Sequence, residues 1–126
     1  MKIPSNLAYT ESHEWILIEN NVATIGITDY AQGELGDIVY FELPTVGNEA
    51  VKGKIFGTVE AVKTVADLYA PMSGTVTEVN QSLSDAPELV NHDPYGMGWL
   101  LRIELSNSAE RNNLLSSDEY KDFLES

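Results

Sequence analysis

The chain has 126 residues, 43% of them hydrophobic and 21% charged, which suits one soluble core and a single domain spanning residues 1–126. Twenty acidic side chains against seven basic ones leave a formal charge of −13, and such a surface repels phosphate backbones and anionic lipid, so no nucleic-acid and no membrane partner is expected. The absence of Cys removes disulfides, thiolate metal sites and cysteine nucleophiles from consideration.

Strand patterns fill the first hundred residues. Trp15-Ile16-Leu17-Ile18-Glu19 is β-rich and stops at Asn20-Asn21, a pair that tolerates left-handed backbone. Val22 to Ile27 returns as a second strand, so residues 15–27 are expected to form a hairpin. Thr28 is an N-cap candidate with Asp29 in the first turn, and the short helix it opens is expected to close at Gly36. Asp37 to Leu43 is a strand ended by Pro44, which cannot donate to a ladder. Val46 to Gly53 is turn-like; Lys54 to Val62 and Thr64 to Ala70 are two β-rich runs facing each other across Lys63. A turn at Ala70 to Gly74 leads to the alternating strand Thr75 to Val79, then one or two helical turns between Leu83 and Asn91, then a last strand over Trp99 to Leu105. Residues 107–126 change character and form a helical C-terminal appendage: Ser116 and Glu119 make a capping box, and Leu114, Leu115, Tyr120, Phe123 and Leu124 offer an apolar face to the sheet.

Catalytic constellations are missing. His13 and His92 are the only histidines, and the residue four after His13 is Leu17, so the His13-Glu14 pair has no second zinc ligand. No nucleophile elbow and no phosphate-binding glycine loop occurs. The expectation is therefore no metal, no catalytic residues and no independent enzyme, but a carrier or an interaction module. Without a signal-like or Arg-rich N-terminus the chain is expected to be cytoplasmic, or in the mitochondrial matrix if it is a processed form.

Lysine usage is the anomaly that periodicity does not explain. No Lys or Arg lies between Lys2 and Lys52, and Lys63 then stands at the centre of the predicted hairpin. Two strands converging on one lysine hold an amine at the end of a rigid protrusion, a geometry suited to a modified lysine and equally compatible with a solvated tip.

The residues around it resolve that choice by resemblance. Phe56-Gly57-Thr58-Val59-Glu60-Ala61-Val62-Lys63, with Leu68-Tyr69-Ala70-Pro71-Met72-Ser73-Gly74, resembles the lipoyl-attachment segment of glycine cleavage system H proteins. Further blocks follow in family order: Ser12-His13-Glu14-Trp15, Val22 to Gln32, Leu35 to Val39, Glu42-Leu43-Pro44, Leu89-Val90-Asn91, Pro94-Tyr95, Gly98-Trp99 and Tyr120. Ala61 stands where many members have Ser, and Met97 where an acid is common. A biotinyl domain usually sets its lysine between methionines, and an acyltransferase lipoyl domain has an Asp-Lys-Ala tip; neither matches Val62-Lys63-Thr64.

The resemblance implies a mainly β (α+β) barrel-sandwich hybrid of two antiparallel sheets, with lipoate amide-linked to Lys63 on a hairpin tip. It implies a monomeric, non-catalytic carrier that takes an aminomethyl group from the pyridoxal-phosphate glycine decarboxylase. The carrier delivers it to the tetrahydrofolate-dependent aminomethyltransferase and is reoxidised by dihydrolipoyl dehydrogenase, after a lipoate-attaching enzyme has loaded it. It further implies that Ser12, Glu14 and Asp67 shield the loaded arm. The alternatives are a relay of lipoate or octanoate to other lipoyl domains, and an unmodified acidic adaptor.

Overall fold

A computed structural model describes residues 1–126. The Asn20-Asn21 pair behaves as its composition predicts: both residues take positive φ, 51° and 64°, and a two-residue turn joins β2 (Glu14–Glu19) to β3 (Val22–Ile27) in register. Left-handed backbone at both positions matches the twist of the paired strands. Thr28 caps α1 (Asp29–Leu35) by accepting the Ala31 N–H, and Gly36 closes it at φ 77°. From there β4 (Ile38–Glu42) pairs antiparallel with β6 (Ile55–Ala61), which pairs with β7 (Val65–Tyr69) to complete a three-stranded sheet.

The other sheet has six strands. It begins at β1 (Ala8–Tyr9), continues through β2 and β3 to β9 (Leu101–Leu105), and ends with β8 (Gly74–Val79) and β5 (Glu49–Ala50). Inward-facing Ile16, Ile25, Val76 and Ile103 of this sheet meet Phe41, Val59 and Leu68 of the smaller one in a single core cluster. The result is the mainly β, two-sheet antiparallel sandwich with short helices that the family resemblance implied.

The helical turns expected after β8 are present as two single-turn helices, α2 (Ser82–Asp85) and α3 (Leu89–His92), divided by Pro87. Two details differ from the sequence reading. The two-residue strands β1 and β5 carry no pattern of their own, because each is specified by its partner strand. Trp99 and Leu100 precede the last strand rather than lying in it, although the Leu100 N–H still bonds Ile25 C=O at 2.8 Å.

The C-terminal segment is built into the molecule. A 3-10 turn (Ser108–Asn113) sends Glu110 onto the Ser73 N–H at 2.7 Å and the Ser73 hydroxyl at 3.0 Å. Leu115 and Tyr9 exchange both backbone hydrogen bonds at 2.8 Å. The expected capping box at Ser116 and Glu119 opens α4 (Ser117–Glu125), whose Tyr120 is fully buried and stacks on Tyr9 with centroids 4.7 Å apart. Tyr120, Tyr9 and Trp15 anchor a second apolar cluster joined by Leu115, Phe123 and Leu124, while Leu114 packs on the main core.

Candidate functional site

Lys63 is exposed to solvent at the centre of the three-residue connection Val62-Lys63-Thr64 between β6 and β7. None of the three adopts positive φ, so the connection lacks the backbone that favours tight hairpins. It is closed within the hairpin by the Ala61 N–H donating to Thr64 C=O at 2.8 Å and braced from outside by the Val62 N–H donating to Asp37 C=O at 2.9 Å. The tip is thus fastened to the end of α1 rather than projecting alone. A Cβ built on Gly36 would come 3.5 Å from Lys63 Cε and 3.9 Å from Nζ, so the lysine stem lies over this glycine. Gly36 closes α1 at a positive φ that favours glycine; the lysine stem itself would meet a Cβ there only at ordinary contact distance.

A cavity of about 320 Å³ begins near that point. One wall is α1, presenting Leu35, Glu34, Ala31 and Tyr30; the other is β7, presenting Ala66, Asp67 and Leu68. Ser12, His13 and Glu14 contribute the turn between β1 and β2. Seven helical residues span about 10 Å, which sets the length of the α1 wall. Ser12 and Glu14 therefore share one cavity with Asp67, which is distant from them in sequence, and no Lys or Arg lines it. A second cavity of about 630 Å³ shares Ser12 and Glu14 but runs past Tyr69 toward Lys52 and Asn113, away from both Asp67 and Lys63.

Glu14 is the unusual member. Ser12 and Asp67 are exposed, whereas Glu14 is 1% exposed and has no cationic partner, the one ion pair in the protein being Arg102–Glu78. Its Oε1 accepts from the Thr10 and Ser12 hydroxyls, each at 2.6 Å; Oε2 has only the Tyr69 N–H at 3.4 Å. Burial pushes the carboxyl above its usual 4.5, with the hydroxyl and backbone donors pulling the other way. The two hydroxyl donors thus converge on Oε1, and Oε2 keeps most of its hydrogen-bonding capacity toward the cavity.

The raised pKa has a thermodynamic consequence. Between the unfolded and folded pKa values the native state binds a proton that the unfolded chain does not, so this group's contribution to stability falls as pH rises through that window and is constant above it. Gln at this position cannot titrate. The stability of Glu14→Gln relative to the parent should therefore rise with pH from about 4 upward, read by denaturant unfolding at several pH values; parallel curves would contradict a proton held at Glu14.

Local folding explains how the turn presents these groups. Thr10 to His13 is a turn closed by the His13 N–H on Thr10 C=O at 3.1 Å, and His13 then takes φ 72°. That three-residue loop usually places Gly at the left-handed position. His13 is held there by its Nδ1, 2.8 Å from the Tyr120 hydroxyl, and by packing against Tyr30 and Phe123. The roles of Thr10 and Tyr69 toward Glu14 were not anticipated, since neither a hydroxyl in a turn nor a backbone N–H on a distant strand carries a signal in sequence.

Residues 7–126 match the family model described as Glycine cleavage H-protein. Among curated relatives, the glycine cleavage system H protein of Rubrobacter xylanophilus is 58% identical over 124 residues, covering 98% of this chain and 96% of its own. That of Staphylococcus haemolyticus is 53% identical over 124 residues and 98% of both chains. The chain belongs to the glycine cleavage H-protein family. The crystal structure of a glycine cleavage system H protein from Mycobacterium marinum superposes with a TM-score of 0.91 at 39% identity, over 98% of this chain and all of that one. The family likeness thus covers both sheets, the Lys63 turn and α4, and no helix is long and apolar enough to cross a membrane.

Proposed function

We propose that this chain is the lipoyl-bearing, non-catalytic carrier of a glycine cleavage system, with Lys63 as the attachment site. Lipoate amide-linked there would supply a dithiolane that takes an aminomethyl group at glycine decarboxylase, yields it at the tetrahydrofolate-dependent aminomethyltransferase, and is reoxidised by dihydrolipoyl dehydrogenase. The observation that supports this reading is the joint placement of Lys63 and the Glu14 cavity. The lysine stem lies over Gly36 at one end of α1, and the cavity follows that helix to Ser12, Glu14 and Asp67. The residues present fit the group: an exposed amine in a braced turn is accessible to a lipoate-attaching enzyme, and an elongated trough with an apolar wall at Leu35, Ala31 and Leu68 suits an aliphatic arm.

The chain's own part in the chemistry is protection. Glu14 Oε2 and the Asp67 carboxylate would accept hydrogen bonds from a cationic amine on the arm, and the Ser12 oxygen would offer a further acceptor while its hydroxyl donates to Glu14 Oε1. Charge-assisted hydrogen bonds of this kind are the strong ones, and more so away from bulk water. Packing of the arm along α1 would limit the access of water to the carried one-carbon unit between visits to the partner enzymes.

Glu14→Ala tests the protective role. Loss of one charge-assisted hydrogen bond is worth about 1.5–3 kcal/mol, so the solution lifetime of the glycine-loaded carrier should shorten by roughly tenfold or more. An unchanged lifetime in a folded, lipoylated Glu14→Ala protein would rule out shielding through this residue.

A further inference from the structure

His13 lines the cavity together with the carboxylates, and its protonation state is fixed by groups outside it. Thr28 is fully buried, and its hydroxyl oxygen already accepts the Ala31 N–H at 3.2 Å as the cap of α1. The hydroxyl hydrogen also requires an acceptor, because a buried donor left unmade is costly. The one acceptor within reach is the Tyr120 hydroxyl oxygen at 2.8 Å. Tyr120, itself fully buried, must then send its own hydrogen to His13 Nδ1 at 2.8 Å. The arrangement that satisfies every buried hydrogen has Thr28 donating to Tyr120 and Tyr120 donating to His13. An imidazole accepting at Nδ1 carries its proton on Nε2 and is neutral.

We propose that Tyr120 is a positioning residue of the cavity: from α4 its hydroxyl fixes His13 as the neutral, Nε2-protonated imidazole and so keeps positive charge off the wall where a cationic amine is received. This rests on the carrier reading above. Protonated His13 would point an N–H at Tyr120, force the tyrosine to donate to Thr28, and leave the buried Thr28 hydrogen without an acceptor. It would also set a cation among Glu14, Glu34 and Asp67, competing with the amine for the same carboxylates. The titratable groups facing His13 are Tyr30 and Glu34 of α1, Tyr120 of α4, Asp67 of β7 and its neighbour Glu14. Burial holds the imidazole below its usual 6.5, and Glu34 opposes this only in part. The C-terminal helix, which touches neither Lys63 nor Asp67, acquires a function: its hydroxyl controls the charge inside the cavity.

The experiment uses the unmodified chain with ¹⁵N-labelled histidine. At neutral pH the nitrogen shifts of His13 should show a protonated Nε2 and an unprotonated, hydrogen-bonded Nδ1, with a titration midpoint below 6.5. Tyr120→Phe keeps the ring on Tyr9 and removes only the hydroxyl; its His13 midpoint should rise yet stay below 6.5, because burial still opposes the charge, while Thr28→Ser should titrate like the parent. In the lipoylated, glycine-loaded protein, the fall in lifetime on acidification should begin at higher pH in Tyr120→Phe than in the parent. A parent His13 protonated on Nδ1, or the same midpoint in Tyr120→Phe, overturns the proposal without recourse to the arm. A shifted midpoint with an unshifted lifetime profile overturns the cavity role, whereas failure of the carrier reading is detected separately as absence of lipoate on Lys63.

Discussion

Lys63→Arg should leave a folded protein with carrier activity at background. The side chain is exposed and makes no hydrogen bond or ion pair within the chain, so stability should change by no more than about 0.5 kcal/mol. A guanidinium keeps the charge but cannot form the lipoyl amide. The other lysines of this region cannot substitute. Lys52 and Lys54 lie at the opposite end of the β6–β7 hairpin, where Lys54 C=O accepts the Ala70 N–H at 2.9 Å. Seven strand residues separate them from the tip, a distance of about 20 Å. Thermal unfolding together with glycine decarboxylation in the presence of the partner enzymes checks both halves; substantial carrier activity in Lys63→Arg would contradict attachment at this residue.

Gly57→Ala should destabilise the fold strongly. Gly57 sits where the β6–β7 register shifts, and a Cβ built on it would lie 2.3 Å from Glu42 C=O in the neighbouring strand. The obstruction is backbone, which cannot rotate aside as a flexible side chain does. Separating β4 from β6 should cost about 3 kcal/mol, lowering Tm by roughly 10 °C in a chain of this size. Because β4 leads back to Asp37 and the brace on Val62, the variant should also loosen the lysine turn and slow lipoylation. A Tm within 2 °C of the parent (about 0.5 kcal/mol) would show that the strands part more easily than the contact implies.

What the sequence made readable was local. The paired left-handed asparagines, the Thr28 cap with its Gly36 stop, the Ser116 capping box and the two strands meeting at Lys63 each depend on residues within a few positions, and each lies where expected. Features that depend on distant partners were not readable. β1 is a strand because Leu115 and β2 flank it, and β5 because β8 does. Ser12, Glu14 and Asp67 were chosen by family resemblance, but nothing in Ser-His-Glu-Trp distinguishes a carboxylate 1% exposed from a solvated one. That contrast arises from Thr10, Ser12 and the Tyr69 N–H closing around it. The link from Thr28 through Tyr120 to His13 joins residues 92 and 107 positions apart, which no pattern of spacing could reveal.

Peptide mass mapping of protein purified from cells that make lipoate is the most direct measurement. It should find one lipoyl group per chain, on the peptide containing Lys63, and none on those containing Lys52 or Lys54. A chain recovered unmodified from cells whose other lipoyl proteins are fully modified, or lipoate on Lys52 or Lys54 instead, would contradict the carrier reading.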